Sequence, residues 1–265
     1  MSKRIVMKFG TQVLSKIENN ILKFDSDRLT DIAKKVHELR EDGSQVAVIT
    51  SAAVQLGIQK SGINRPKEED FKTKIDYADE LAILAGMGTD ELASQYNKAF
   101  QRYGIKTAYT LFTSNNFESY EKEGICRRLN KTLDKGIVPI ANTNDFVTLE
   151  ELMPIYNGNG FSDNDPFTYY FSSAINADEV FFVTTSPVYD KDPQKHPEAG
   201  RIEILTKELF YQIDSGGTSG IGRGGMKQKI ESGFRCIKKG MMTYIIGFDE
   251  LDKVGKNYEI GTRIM

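Results

Sequence analysis

Residues 216–229, reading GGTSGIGRGGMKQK, place six glycines within ten positions and then enter a segment of helical character. Without a Cβ, such a chain brings successive backbone N–H groups close to an anion, with a helix N-terminus and Lys229 immediately beyond. That is phosphate-binding chemistry, although the spacing is not the G-x-x-x-x-G-K-[ST] of a P-loop. Further polar or glycine clusters end apolar runs elsewhere: Lys8-Phe9-Gly10-Thr11, Thr50-Ser51-Ala52-Ala53, Asn142 to Asp145, and Thr184-Thr185-Ser186.

The elements that would position these groups alternate in type. Arg4 to Phe9 reads as a strand. Over 25–41 the residues Leu29, Ile32, Ala33, Val36 and Leu39 recur at helix spacing, with Asp25 or Ser26 as N-cap and Gly43 beyond. Gln45 to Thr50 reads as a buried strand, so the chain opens β–α–β with a parallel pair. Further helices are expected over 79–103, 119–135, 163–176 and 227–239. Strands are expected over 105–111, 137–141, 180–184 and 242–246, with a hairpin or irregular excursion over 146–156. The alternation predicts an α/β protein with a largely parallel sheet. In such sheets ligands sit beyond the carboxyl ends of the strands, where the clusters fall.

Composition bounds the function. The chain has 265 residues and a formal net charge of −2, a balance that gives no support to nucleic acid as a partner. Two cysteines, Cys126 and Cys236, far apart, argue against a disulfide framework or a zinc site and fit a reducing cytosol. The basic start has no apolar signal core, and no run approaches the roughly 18 apolar residues of a membrane helix. The expectation is a cytoplasmic protein with no membrane partner.

Five segments, in order, resemble the amino acid kinase family, and within it the glutamate 5-kinases. They are IVMKFGTQVL (5–14), VITSAAVQLG (48–57), GIVPIANTNDFV (136–147), SDNDPFTYYFSSAINAD (162–178) and SGIGRGGMKQKIESG (219–233). The resemblance covers essentially the whole chain. It implies a single kinase domain over 1–265 without the PUA domain that glutamate kinases often carry. The implied fold is a three-layer α/β/α sandwich, carbamate kinase-like, with the acceptor side roughly in 1–160 and the nucleotide side in 161–265.

The implied reaction moves the γ-phosphoryl group of ATP, with Mg²⁺, to the side-chain carboxylate of L-glutamate, the first step of proline biosynthesis. Carried over, Lys8, Asp165 and Lys229 are catalytic, Asp165 orienting the two lysines rather than taking a proton. Nucleotide contacts fall to Lys8, Gly10, Thr11, Thr184, Thr185, Gly222, Gly224, Gly225, Met226 and Lys229. Substrate contacts fall to Ser51, Ala52, Asn142, Asp145 and Asn164, with Asp145 suited to an α-ammonium. No protein metal ligand is implied, and a homodimer or homotetramer is.

Departures from the family pattern leave the acceptor open. Ala52 stands where a glycine is usual, Thr143 where an acid is usual, and Gly88 where a glutamine is usual. Thr184-Thr185-Ser186-Pro187 replaces the usual Thr-Asp with following Lys-Gly. The alternatives are an enzyme of this fold acting on another small acceptor, and a catalytically silent nucleotide- or amino-acid-binding protein. Isopentenyl phosphate kinase fits less well, because that family carries a histidine after the second strand, and the two histidines here are His37 and His196.

Overall fold

The computed structural model describes residues 2–19, 21–149, 164–191, 193, 195–215, 225–256 and 259–265. In chain order the elements are β1 (Arg4–Phe9), β2 (Ser15–Glu18), β3 (Ile21–Phe24), α1 (Ser26–Glu41), β4 (Gln45–Ile49), α2 (Ala53–Ser61), α3 (Lys74–Gln101) and β5 (Thr107–Phe112). They continue with α4 (Asn115–Glu118), α5 (Lys122–Asp134), β6 (Val138–Thr143), α6 (Asn164–Ala174), β7 (Glu179–Thr184), β8 (Ile204–Leu205), α7 (Lys207–Ser215), α8 (Gly225–Lys238), β9 (Met242–Gly247) and β10 (Thr262–Ile264). No helix among the described residues is long and apolar enough to cross a membrane.

Eight strands form one sheet in the order β5-β6-β4-β1-β7-β9-β10-β8, parallel throughout except between β9 and β10. β1 lies inside the sheet, paired with β4 on one side and β7 on the other. The chain runs from β1 to β4 and out to the edge strand β5, places β6 between them, then returns past β1 to lay β7 and β9 on its opposite flank. That return is a topological switch, the place where open α/β sheets hold ligands.

Side-chain alternation along the strands divides the core into two apolar layers. Ile5, Met7, Phe9, Phe181, Val183, Tyr244 and Ile246 face a cluster closed by α1, α2 and α3. Val6, Ala47, Ile49, Val180, Phe182 and Ile245 face a second cluster closed by α5, α6, α7 and α8. A parallel sheet covered on both sides needs such continuous apolar strands, and the result is the three-layer α/β/α sandwich expected.

The expected central helices and strands are present, with ends shifted by a few residues. The helix expected to start at 79 begins at Lys74, because Thr73 and Asp76 form a reciprocal capping box there. The β2–β3 hairpin, α2, α4, α7, β8 and β10 have no counterpart among the expected elements. The excursion expected over 146–156 is a turn as far as 147 and otherwise falls mainly outside the described residues.

Gly88 has a packing role. A Cβ there would stand 2.0 Å from the Ala53 carbonyl oxygen, and one at Gly57 would stand 1.9 Å from that of Leu84. The two glycines let α2 and α3 cross at backbone contact, which fixes the start of α2 above the sheet.

Candidate active site

Lys8 is the even-numbered partner of Val6 on β1, so the strand's alternation aims it toward α6 and α8 rather than toward α1. Its register partners are Ile49 and Phe182, both in the second core layer. A lysine that is 1% exposed among such neighbours needs a counter-charge. Asp165, in the first turn of α6, supplies it at 2.6 Å. The other oxygen of Asp165 meets Lys229 Nζ at 2.9 Å.

Asp165 is held there by the rest of α6. Phe167, Phe171 and Ala174 lie on one helical face in the core, and the Thr168 hydroxyl donates to the Asn164 carbonyl at 2.7 Å. Burial raises the tendency of the Asp165 carboxyl to hold a proton, but Lys8 and Lys229 outweigh it and hold the pKa below the ordinary carboxylate value. The carboxylate therefore stays ionised. Both its oxygens serve the two ammonium groups, which leaves a cluster with one net positive charge.

Backbone approaches the same point from two sides. A Cβ on Gly10 would lie 3.7 Å from Lys8 Nζ, and one on Gly225 would lie 3.5 Å from Lys229 Nζ. Lys229 also donates to the Gly225 carbonyl at 3.2 Å, one turn back along α8. Two ammonium groups, two glycines and the N-terminal ends of α6 and α8 thus converge, an arrangement that fits a phosphate chain. Met226 follows Gly225 in the first turn of α8. Gly222 and Gly224, with the rest of 216–224, lie outside the described residues.

The acceptor-side residues gather at the ends of β4 and β6. Ser51, Ala52, Asn142, Asp145, Asn164 and Thr11 line one cavity of about 180 Å³. Asn164 donates its amide to the Ser51 hydroxyl at 3.0 Å, linking α6 to the turn after β4. Ala52 holds φ 83° and ψ 11°, a left-handed conformation that glycine adopts freely and alanine does not. Ala52 therefore holds a glycine-type backbone and presents a methyl group to the cavity wall.

Thr184 and Thr185 lie at the end of β7, on the other flank of β1. The Thr184 hydroxyl accepts from Ser186 N–H at 3.2 Å and donates to the Ser186 carbonyl, so it is spent on its own turn. Thr185 is exposed.

Three residues near the cavity carried no recognisable signal in the sequence. Tyr96 of α3 donates to the Thr50 hydroxyl at 2.9 Å and braces the turn holding Ser51. Tyr109 of β5 is half-buried, with its hydroxyl out of solvent near Asn142 and Asp145. Burial drives its phenol pKa up, Asn142 opposes the rise, and the Asp145 charge adds to it, so the hydroxyl remains neutral. Arg65, between α2 and α3, borders the cavity from a segment rich in charge. No three His, Cys, Asp or Glu side chains converge as a metal site among the described residues.

The model of the amino acid kinase family matches residues 3–247. A glutamate 5-kinase of Cupriavidus pinatubonensis (strain JMP 134 / LMG 1197) is 33% identical over 273 residues, covering 100% of this chain and 68% of that one. A glutamate 5-kinase of Dehalococcoides mccartyi (strain CBDB1) is 29% identical over 251 residues, covering 92% of this chain. The chain spans 62% of that relative's length. Among solved structures, carbamate kinase from Giardia lamblia bound to AMP-PNP superposes with a TM-score of 0.67 at 14% identity, covering 100% of this chain and 98% of that one. An isopentenyl phosphate kinase superposes with a TM-score of 0.65 at 18% identity, covering 99% of this chain and 100% of that one.

Proposed function

The chain belongs to the amino acid kinase family, and from that premise we propose that it transfers the γ-phosphoryl group of ATP to the side-chain carboxylate of L-glutamate, forming L-glutamyl 5-phosphate for proline synthesis. The observation that carries this reading is Asp165 binding Lys8 and Lys229 at once, beside a cavity walled by Ser51, Asn142, Asp145 and Asn164. The names of the similar glutamate 5-kinases support the choice of acceptor.

A carboxylate is already a nucleophile, so the reaction needs no general base. The obstacle is bringing an anion to a polyanion and stabilising charge on the transferring oxygens. Lys8, beside Gly10 and paired with Asp165, would offset that repulsion. Lys229 neutralises phosphate charge from the nucleotide side. Asp165, ionised and engaged by both lysines, fixes the two ammonium groups, and its lowered pKa makes it a weak base. Asn142, Asn164 and Ser51 hold the acceptor with neutral polar groups, which add no charge repulsion. Mg²⁺ usually keeps several waters and binds through substrate phosphates, so the residues present fit a metal carried in with ATP. When bound it would spread the negative charge of the β- and γ-phosphates.

The test is direct. Protein supplied with ATP, Mg²⁺, L-glutamate and hydroxylamine should yield γ-glutamyl hydroxamate. No product across a wide glutamate range would end the proposal. The Ala52 methyl group favours a second reading, phosphorylation of another small acceptor, which a panel of acceptors in an ADP-release assay separates from the first.

A further inference from the structure

Ala52 holds its left-handed backbone at the cavity wall with no side-chain cap on the helix it starts. Such a conformation costs a non-glycine residue free energy and persists only where the surroundings over-determine it. Ser51, the residue before it, is gripped from two elements. From α6, Asn164 donates to its hydroxyl at 3.0 Å. From α3, the grip is a relay: Tyr96 donates to the Thr50 hydroxyl at 2.9 Å. The Thr50 hydroxyl in turn donates to the Ser51 carbonyl at 3.2 Å.

The head of this relay is fixed in place. Tyr96 is 0% exposed, and Leu92, Ala99 and Phe100 are buried beside it on α3. Helix α3 meets α2 at backbone contact through Gly57 and Gly88, which sets the height of the phenol beside the turn. Burial pushes the Tyr96 phenol pKa up, so the hydroxyl keeps its proton and serves as the donor. With its oxygen taken by Tyr96, Thr50 directs its own proton to the Ser51 carbonyl. That bond orients the peptide leading into Ala52. We propose that Tyr96 is a positioning residue that, through Thr50, holds the Ser51–Ala52 turn in the strained shape of the acceptor cavity. Acceptor affinity then depends on a fully buried phenol. This rests on the proposed use of the cavity for the acceptor and names what keeps that cavity in shape.

The experiment measures KM for L-glutamate and for ATP with wild type, Tyr96→Phe, Ala52→Gly and the double variant. Tyr96→Phe keeps the ring and removes one hydrogen bond. The glutamate KM should rise about three- to tenfold, with the ATP KM and kcat changed by less than about twofold. Glycine reaches the left-handed region without strain. In the Ala52→Gly background, adding Tyr96→Phe should therefore change the glutamate KM by less than about twofold. Phe100→Leu is the packing control, its ring centroid 6.0 Å from that of Tyr96. It should leave the glutamate KM unchanged. A glutamate KM that Tyr96→Phe does not move overturns the proposal. So does a matching rise for ATP, a matching rise in Phe100→Leu, or an equal rise in the glycine background.

If wild type gives no hydroxamate from glutamate, the activity reading fails by itself. The Tyr96 assignment is then decided by amide hydrogen exchange. The Thr50 amide bonds the Ala141 carbonyl at 2.9 Å, and the Leu56 amide bonds the Ala52 carbonyl at 3.1 Å. Exchange at these two amides that is about tenfold faster in Tyr96→Phe, with the amides of α3 unchanged, supports the assignment. Any other pattern refutes it.

Discussion

The Lys8 ammonium stands 2.6 Å from Oδ1 of Asp165, with side-chain exposures of 2% and 0%. Burying such a pair removes two charges from water, and their mutual attraction often fails to recover that cost. The second ammonium, Lys229, leaves the cluster cationic beside the glycine-flanked approach. A purely structural pair would cancel its charge, whereas this one keeps an excess at the point where a polyanion would meet a second anion.

Replacing Lys8 or Lys229 by alanine should lower kcat by about 100-fold or more, the usual cost of one transition-state donor. The hydroxamate assay reads this directly. The stability effects should differ. Lys8→Ala strips a buried partner and should cost about 3 kcal/mol in urea unfolding. Lys229→Ala removes a partner that is 15% exposed and should cost less.

Asp165 should impose an acid limit on stability. Its folded pKa is depressed, because Lys8 and Lys229 outweigh the upward effect of burial. A depressed folded pKa contributes stability that is complete above the unfolded value, about 3.9, and is lost as pH falls through the folded value. The urea midpoint should therefore fall as pH drops below about 4. In Asp165→Asn that component of the slope should vanish, as a series of urea titrations at decreasing pH will reveal.

Ala52→Gly should stabilise the fold. The left-handed backbone at φ 83° costs alanine about 1–2 kcal/mol. Glycine removes that strain but adds freedom to the unfolded chain, so the net gain should be about 1 kcal/mol. The measurement is a higher urea midpoint with an unchanged m-value.

Gly57→Ala and Gly88→Ala should each destabilise by about 3 kcal/mol, because the added Cβ meets backbone rather than a movable side chain. Since α2 begins next to Ala52, the glutamate KM should also rise in any variant that still folds. Thermal melts and acceptor titrations together test both effects.

Apolar periodicity made most of the sheet and its major helices legible, because strands covered on both faces and helices covered on one must be apolar at fixed intervals. The elements that escaped notice were short or lacked such a pattern. The hairpin at Ser15–Phe24 is two four-residue strands. Helix α2 follows the turn at Ala52 without a side-chain N-cap, so nothing in its sequence announces a start. The departure at Gly88 from the family pattern does not announce a packing role in the sequence. Its actual constraint, the Ala53 carbonyl, lies on another helix.

By itself the sequence determined which residue types were available: two lysines beside glycines, an Asn-Asp helix start, and polar turns after apolar strands. Those are local properties, set by composition and by the strand and helix periods. Only the tertiary structure decided that Asp165 faces both lysines, that Tyr96 braces Thr50, and that Arg65 borders the same cavity as Asp145. Each of these joins residues on different elements. Their distances depend on strand order, on the side to which β1 turns Lys8, and on how closely α2 and α3 approach.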